Sequence, residues 1–195
     1  MKLIFKAHFF KILFFGSMIS LLSACTEVKK SEPVIYLIPE NYVGSLYIIF
    51  NAPNGHPPKY EDGSRVYEIP PSGILVTQMD ANEGWIENSQ IQYFELSNTN
   101  ERTPISEDSS LKDKDKDKDT TDDGETRTVY VGGLGESGPI YGCTVINQNF
   151  TVGTNAEQTD RKNLFSIYDA IKRKNIDEKL FKGMCKNSKD VTSPQ

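Results

Sequence analysis

The chain has 195 residues, 37% of them hydrophobic, and a formal net charge of −5 at pH 7. An acidic chain is repelled by a phosphate backbone, which argues against nucleic-acid binding. The length suits one domain with a small appendage.

The first 24 residues have the composition of a secretory signal. Basic residues precede an apolar stretch over residues 12–22, which is shorter than the roughly 20 residues that a transmembrane helix needs. Small residues then lead to Cys25, and this arrangement resembles the lipobox of bacterial lipoproteins. The resemblance implies that residues 1–24 are removed and that Cys25 is lipidated, which anchors the chain in an envelope membrane. An uncleaved anchor helix or a non-lipidated signal are the alternatives.

The residue after the lipidated cysteine helps to predict which membrane the lipoprotein is sorted to. In enteric-type bacteria, Thr26 instead of Asp favours the outer membrane. The removed segment carries three lysines and no acid, so the mature chain has 171 residues and its net charge falls from −5 to −8.

Two cysteines, Cys143 and Cys185, remain in the mature chain. An even number in an exported chain predicts a disulfide, although two separate buried thiols are also compatible with the sequence. A zinc site is disfavoured, because His56 is the single histidine available to join them. We expect no metal and no cofactor.

Short apolar runs rich in β-branched residues alternate with Gly/Pro turns after a polar tether at residues 25–32. The pattern predicts a mainly β domain over residues 33–155, built as a β-sandwich or partial barrel. The predicted strands are residues 34–38, 46–50, 65–69, 74–77, 91–96, 128–131 and 140–146.

A polar segment at about residues 98–127 interrupts this domain. It contains alternating lysine and aspartate at 112–119 and lacks apolar side chains to pack, so it is predicted to be a mobile, disordered insertion. A calcium loop is disfavoured, because Gly at the sixth position and Glu at the twelfth are missing.

The end of the chain changes to a helical period. Apolar residues between 164 and 171 fall on one helical face, with Thr159 or Asp160 as the cap. We predict a helical segment at 156–187 that covers the sheet and is joined to it by the disulfide, followed by a flexible tail at 188–195. A partner-binding or membrane-lying helix, with basic residues 172–174 exposed, is the alternative.

The glycine-rich run at residues 133–138 has the spacing of a dinucleotide-binding motif. That motif must open a helix, whereas Pro139 and a β-rich run follow, so a flexible hairpin link is the better interpretation. The same run loosely resembles the nucleophile segment of trypsin-like serine proteases, which would imply Ser137 as nucleophile and His56 as base. The surroundings of both residues depart from that family.

Trp85 is a candidate for binding. It is the single tryptophan and follows a turn, so it is placed to stack on a sugar or to anchor a partner, with half-buried packing as the alternative. An enzyme that cleaves a glycan polymer needs two facing carboxylates. The sequence offers many acidic residues but gives no reason to select a pair. They are Glu40, Glu61, Asp62, Glu68, Asp80, Glu83 and Glu87.

Two segments, Ile38-Pro39-Glu40-Asn41-Tyr42-Val43-Gly44 and the later run of residues 67–77 containing Ile69-Pro70-Pro71-Ser72-Gly73, resemble an uncharacterised family of bacterial lipoprotein domains. That family shares an I-P-x-x-Y-x-G opening and a later I-P-x-x-G-x-L-x-T segment. The resemblance covers about residues 33–96. It implies an exported β-rich domain of unknown function and supplies no catalytic residues.

The sequence therefore favours a membrane-anchored envelope lipoprotein that acts as a non-enzymatic binding module. The expected partner is an envelope or secreted protein, with cell-wall glycan less favoured and nucleic acid excluded. The alternative is an envelope-polymer hydrolase that uses unrecognised carboxylates, and a pocket with converging, partly buried acids would favour it.

Overall fold

The computed structural model describes residues 29–107 and 125–185. The predicted signal peptide, the lipidation site Cys25, the lysine–aspartate repeat and the C-terminal tail lie outside the described residues. Within them, no helix is long and apolar enough to cross a membrane.

The described residues form ten strands in two sheets, so the mainly β prediction is confirmed. Sheet I has the order β3-β4-β1-β6-β7 and sheet II the order β5-β2-β10-β9-β8. Both sheets are mixed: β1 pairs in parallel with β4 and β6, β2 with β5, and β8 with β9. The bounds are Val34–Pro39 (β1), Gly44–Ile49 (β2), Tyr60–Glu61 (β3), Ser64–Glu68 (β4), Ile74–Val76 (β5), Ile91–Leu96 (β6), Arg102–Pro104 (β7), Ser106–Glu107 (β8), Thr128–Ile140 (β9) and Cys143–Gly153 (β10).

The main core lies between the two sheets and is rich in tyrosine. Tyr36, Tyr67 and Tyr93 of sheet I are buried against aliphatic residues and Phe150 of sheet II. The rings of Tyr36 and Tyr93 stack with centroids 4.9 Å apart, and the Tyr36 hydroxyl donates to Gln148 Oε1 at 3.2 Å. Burial raises the pKa of all three tyrosines, because the ionised form would lose its hydration.

A second core lies on the outer face of sheet II. Two short helices, Asn155–Thr159 (α1) and Ile167–Arg173 (α2), and a 3-10 turn at Glu178–Phe181 follow β10. Ile167, Ile171 and Phe181 pack against the sheet, which confirms that this amphipathic segment covers the sheet. The predicted Cys143–Cys185 disulfide is present, with the Cα atoms 5.2 Å apart.

Three local predictions differ from the structure. The glycine-rich run at 133–138 is not a link: it belongs to the 13-residue strand β9, because pairing with β10 uses backbone groups that glycine also provides. Ser166, not Thr159 or Asp160, caps α2. Part of the predicted insertion, residues 102–104 and 106–107, is strand, because β7 and β8 pair with β6 and β9.

Candidate functional site

A groove of about 650 Å³ lies where three parallel strands end. Pro39, Glu68 and Leu96 are the last residues of β1, β4 and β6, and all three line it. Because parallel strands end at the same edge of a sheet, the topology alone brings these residues together. Leu75 and Thr77, from sheet II and its continuation, also line it.

Apolar side chains dominate the walls of this groove. Four aliphatic residues and five prolines contribute, which are Val66, Ile69, Leu75, Leu96, Pro39, Pro57, Pro58, Pro70 and Pro71. Proline has no backbone N–H, so these segments leave few donors that need a partner. An apolar ligand in the groove would therefore cover an apolar surface and would bury few backbone N–H groups that lack a hydrogen-bond partner.

Polar groups stand at its rim. His56 is exposed, and its backbone is fixed because its N–H donates to the Val76 carbonyl at 2.8 Å. Asn98 and Asn100 project from a turn whose shape is held by the Ser97 hydroxyl, which accepts from the N–H of Glu101 at 3.0 Å. These side chains provide hydrogen-bonding groups at the edge of the apolar floor.

One carboxylate lines the groove within the described residues. Glu68 forms an ion pair of 2.6 Å with Lys59, and both side chains are about half exposed. Three of the other six candidate carboxylates are engaged elsewhere, Glu61 with Arg102, Asp80 with Arg65 and Glu83 with Lys29. The remaining three, Glu40, Asp62 and Glu87, are not among the described residues that line the groove. The acids that the hydrolase alternative requires do not converge in this groove.

Trp85 lies at the opposite end of sheet I, paired with residues 29–31, which lead into β1. Its side chain is 53% exposed. The backbone N–H of Trp85 donates to the Lys29 carbonyl at 2.9 Å, and the Trp85 carbonyl accepts from the backbone N–H of Ser31 at 2.9 Å. Trp85 therefore stands where the N-terminal segment joins the domain.

The join between that segment and the domain is extensive. Asn82 accepts from the N–H of Glu32 at 2.9 Å and donates to the Glu32 carbonyl at 2.8 Å. Gly84 has φ of +131°, and a Cβ there would come within 2.5 Å of the Lys29 carbonyl oxygen. Glycine at this position thus permits the close approach of the two segments.

Arg65 holds the same junction from inside. Its side chain is 9% exposed and pairs with Glu32 and with Asp80, whose carboxylate lies 2.9 Å from Nη2. Nη1 also donates to the Asp80 carbonyl at 2.7 Å. Burial of the guanidinium is thereby compensated by hydrogen bonds and opposite charge, and the pKa of Arg65 is raised.

Two residues of the sequence motifs, Tyr42 and Gly73, have a structural role. Tyr42 donates from its hydroxyl to the Ser45 carbonyl at 2.6 Å, and burial raises its pKa to about 12. Gly73, in the second motif, lies directly against that hydroxyl. Tyr42 and Gly73 therefore join the two motifs in one packed contact outside the groove, whereas Pro39 of the first motif and Ile69, Pro70 and Pro71 of the second line it.

The structure does not bring Ser137 and His56 together in one cavity. His56 lines the proline-lined groove, whereas Ser137 lines a separate cavity with the glycines of β9 and accepts a 2.9 Å hydrogen bond from Asn147. No group of three metal-ligating side chains occurs in the described ranges. Sequence reasoning missed the groove, because parallel pairing of distant strands creates it.

Comparison with known proteins gives a family and a fold. A family model described as a family of unknown function (DUF6843) matches residues 30–160. No curated protein matches. A crystal structure described as that of a "Putative Lipoprotein from Bacillus anthracis" has a similar fold, with a TM-score of 0.52 and 19% identity over 79% of this chain and 98% of that chain.

Proposed function

Since the chain belongs to a family of unknown function, DUF6843, we propose its role from its sequence signal and its groove. The protein is a lipid-anchored component of the bacterial envelope that binds an extended, apolar peptide segment of another envelope or secreted protein. The proline-lined groove at the ends of β1, β4 and β6 is the observation that carries the binding role.

Two independent features support the anchor. The lipobox-like sequence at Cys25 is one. The other is that the Bacillus anthracis protein of similar fold carries a lipoprotein description. In a bacterium with two membranes, Thr26 favours the outer membrane.

The lining of the groove favours a peptide over a glycan. Protein sites for sugars commonly stack them on aromatic rings, and no Trp, Tyr or Phe is among the described residues that line this groove. Apolar peptide side chains fit the aliphatic and proline walls, while Asn98, Asn100 and His56 are placed to hydrogen bond a peptide backbone. The Lys59–Glu68 pair is neutral overall, so the favoured segment is apolar and not strongly charged.

The anchor is tested by fractionation. Wild-type protein should enter the membrane fraction, and its N-terminal peptide should have the mass of lipidated Cys25. The Cys25→Ala variant should lose both properties. Membrane association of that variant at the wild-type level would contradict the anchor.

The groove is tested by site-specific crosslinking in cells. A photoreactive amino acid at His56, at the rim, should give one dominant protein adduct, whereas the same probe at Tyr130, exposed on β9, should not. The identified partner is then titrated with purified variants. Asn98→Trp, which fills the groove, should weaken binding at least tenfold, and Asp62→Trp, on the exposed β3–β4 turn, should bind as wild type does. Equal binding by both variants would overturn the proposal.

A further inference from the structure

The structure fixes which end of the domain lies nearest to the lipid anchor. Lys29 is the first residue described, and it is four residues beyond Cys25. Four residues of extended chain span at most about 14 Å. Lys29 is held beside Trp85, because its carbonyl accepts a 2.9 Å hydrogen bond from the Trp85 backbone N–H and its ammonium group forms a 3.3 Å ion pair with Glu83. A lipid on Cys25 therefore keeps Trp85 close to the bilayer.

The chemistry of this end fits a lipid surface. Trp85 is more than half exposed although it is a large aromatic residue, and tryptophan is enriched where an apolar medium meets water because its ring is apolar and its N–H is polar. Two flanking cations are paired, Lys29 with Glu83 and Arg65 with Glu32 and Asp80, and a third, Lys30, is exposed. Among the described residues of this end, these three cations are balanced by the same three carboxylates, so the net charge that would attract anionic lipids is zero.

We propose that the end formed by residues 29–32 and 82–85 rests on the bilayer, with the Trp85 indole among the lipid headgroups. This inference rests on the proposed anchor at Cys25. Trp85 pairs with residues 29–31, ahead of β1, and the groove lies at the far end of β1, so the six-residue strand alone separates them by about 20 Å. The bilayer contact thus directs the groove away from the membrane, toward proteins in the aqueous compartment.

The test uses the intrinsic fluorescence of Trp85, the single tryptophan of the chain. Lipidated protein is reconstituted in phosphatidylcholine vesicles, with and without bromine on the acyl chains near the headgroup. We expect brominated lipid to reduce the emission at least twofold, and iodide in the buffer to quench vesicle-bound protein less than protein in detergent-free solution without its lipid. Neither result should depend on the salt concentration.

The matched control moves the reporter to the far end. Leu164 is 40% exposed and follows Asn163, whose carbonyl accepts from Ser45 N–H at the start of β2. Residues 40–43 connect the end of β1 to the start of β2, so this position lies at the same end of the domain as the end of β1. The double substitution Trp85→Phe and Leu164→Trp should show no quenching by brominated lipid and full quenching by iodide.

The outcomes separate the two proposals. Wild-type protein that fails to float with vesicles removes the anchor and this inference with it. Protein that floats while Trp85 stays accessible to iodide and insensitive to bromine keeps the anchor and overturns the bilayer contact, leaving Trp85 available to a protein or glycan. Quenching of the Leu164→Trp reporter by bromine would place the opposite end on the membrane and would also overturn it.

Discussion

Gly73 lies directly against the hydroxyl of Tyr42, so that any Cβ at position 73 would overlap the phenol. The contact joins two segments that are 31 positions apart, and each belongs to one of the two turn motifs recognised in the sequence. The motif glycine is thus required by packing as well as by its φ of +78°.

Gly73→Ala is expected to lower the free energy of unfolding by about 2–4 kcal/mol, from overlap plus left-handed strain. Chemical denaturation measures it. Gly63→Ala is the matched control, since its φ is +79° but nothing lies within 4 Å, so only the roughly 1 kcal/mol of backbone strain remains. Adding Tyr42→Phe should recover part of the loss at position 73. Strictly additive losses in the double variant would contradict the contact.

The buried tyrosines make stability sensitive to alkali. Unfolded tyrosine ionises near pH 10, whereas the folded pKa of Tyr42 is about 12. The stabilisation that comes from these raised tyrosine pKa values is complete below pH 10, and it is lost as the pH rises because the unfolded tyrosines ionise first. For Tyr42 alone the loss at pH 12 is about 2 kcal/mol.

Reversible urea denaturation between pH 8 and pH 12 follows this loss. Tyr42→Phe should cost about 1 kcal/mol at pH 8, because its bond to the Ser45 carbonyl is removed, and should flatten the alkaline decline. Tyr60→Phe, at a residue 52% exposed, is the control. A decline that is identical in wild type and Tyr42→Phe would refute the assignment.

The Cys143–Cys185 disulfide closes a loop with a sequence separation of 42. Chain entropy predicts a stabilisation of about 4 kcal/mol. The double variant Cys143→Ala and Cys185→Ala should lose most of it, and a reducing agent should lower the melting temperature of wild type but not that of the variant. If reduction leaves the wild-type transition unchanged while mass spectrometry shows two free thiols, the prediction fails.

Arg65 couples the N-terminal segment to the domain. Arg65→Met leaves the carboxylates of Glu32 and Asp80 without this partner and should cost about 2–3 kcal/mol. Hydrogen exchange at Ser31 and Glu32 should accelerate at the same time. Arg102→Met breaks the more exposed pair with Glu61 and should cost less than about 1 kcal/mol. Equal losses from the two substitutions would show that burial of Arg65 is unimportant.

The strand segments, the turn residues and the helical tail were predictable because each depends on local pattern. Residues 34–38 and 91–96 have the β-branched and alternating patterns of strands, and both form strands. The disulfide was predictable from the cysteine count together with the predicted export signal. The continuation of β9 through the glycine-rich residues 132–138 was not predictable, since glycine alone does not favour a strand and the hydrogen bonds of this segment come from its partner β10.

The candidate site divides in the same way. Trp85 could be singled out from the sequence because it is unique and follows a turn. Its position beside Lys29, and the groove at the opposite end, could not. Both depend on the parallel pairing of β1 with β4 and β6, which joins segments about 30 and 57 positions apart.

By itself, then, the sequence determined the mainly β character and the cysteine pair, and it predicts an export signal, because these depend on local composition and spacing. The tertiary structure alone decided that five prolines line one groove and that the Tyr42 hydroxyl packs against Gly73. The physical reason is that strand order and register are chosen by the burial of whole sheet faces. Such burial is a property of the assembled chain and leaves no local signature in any one segment.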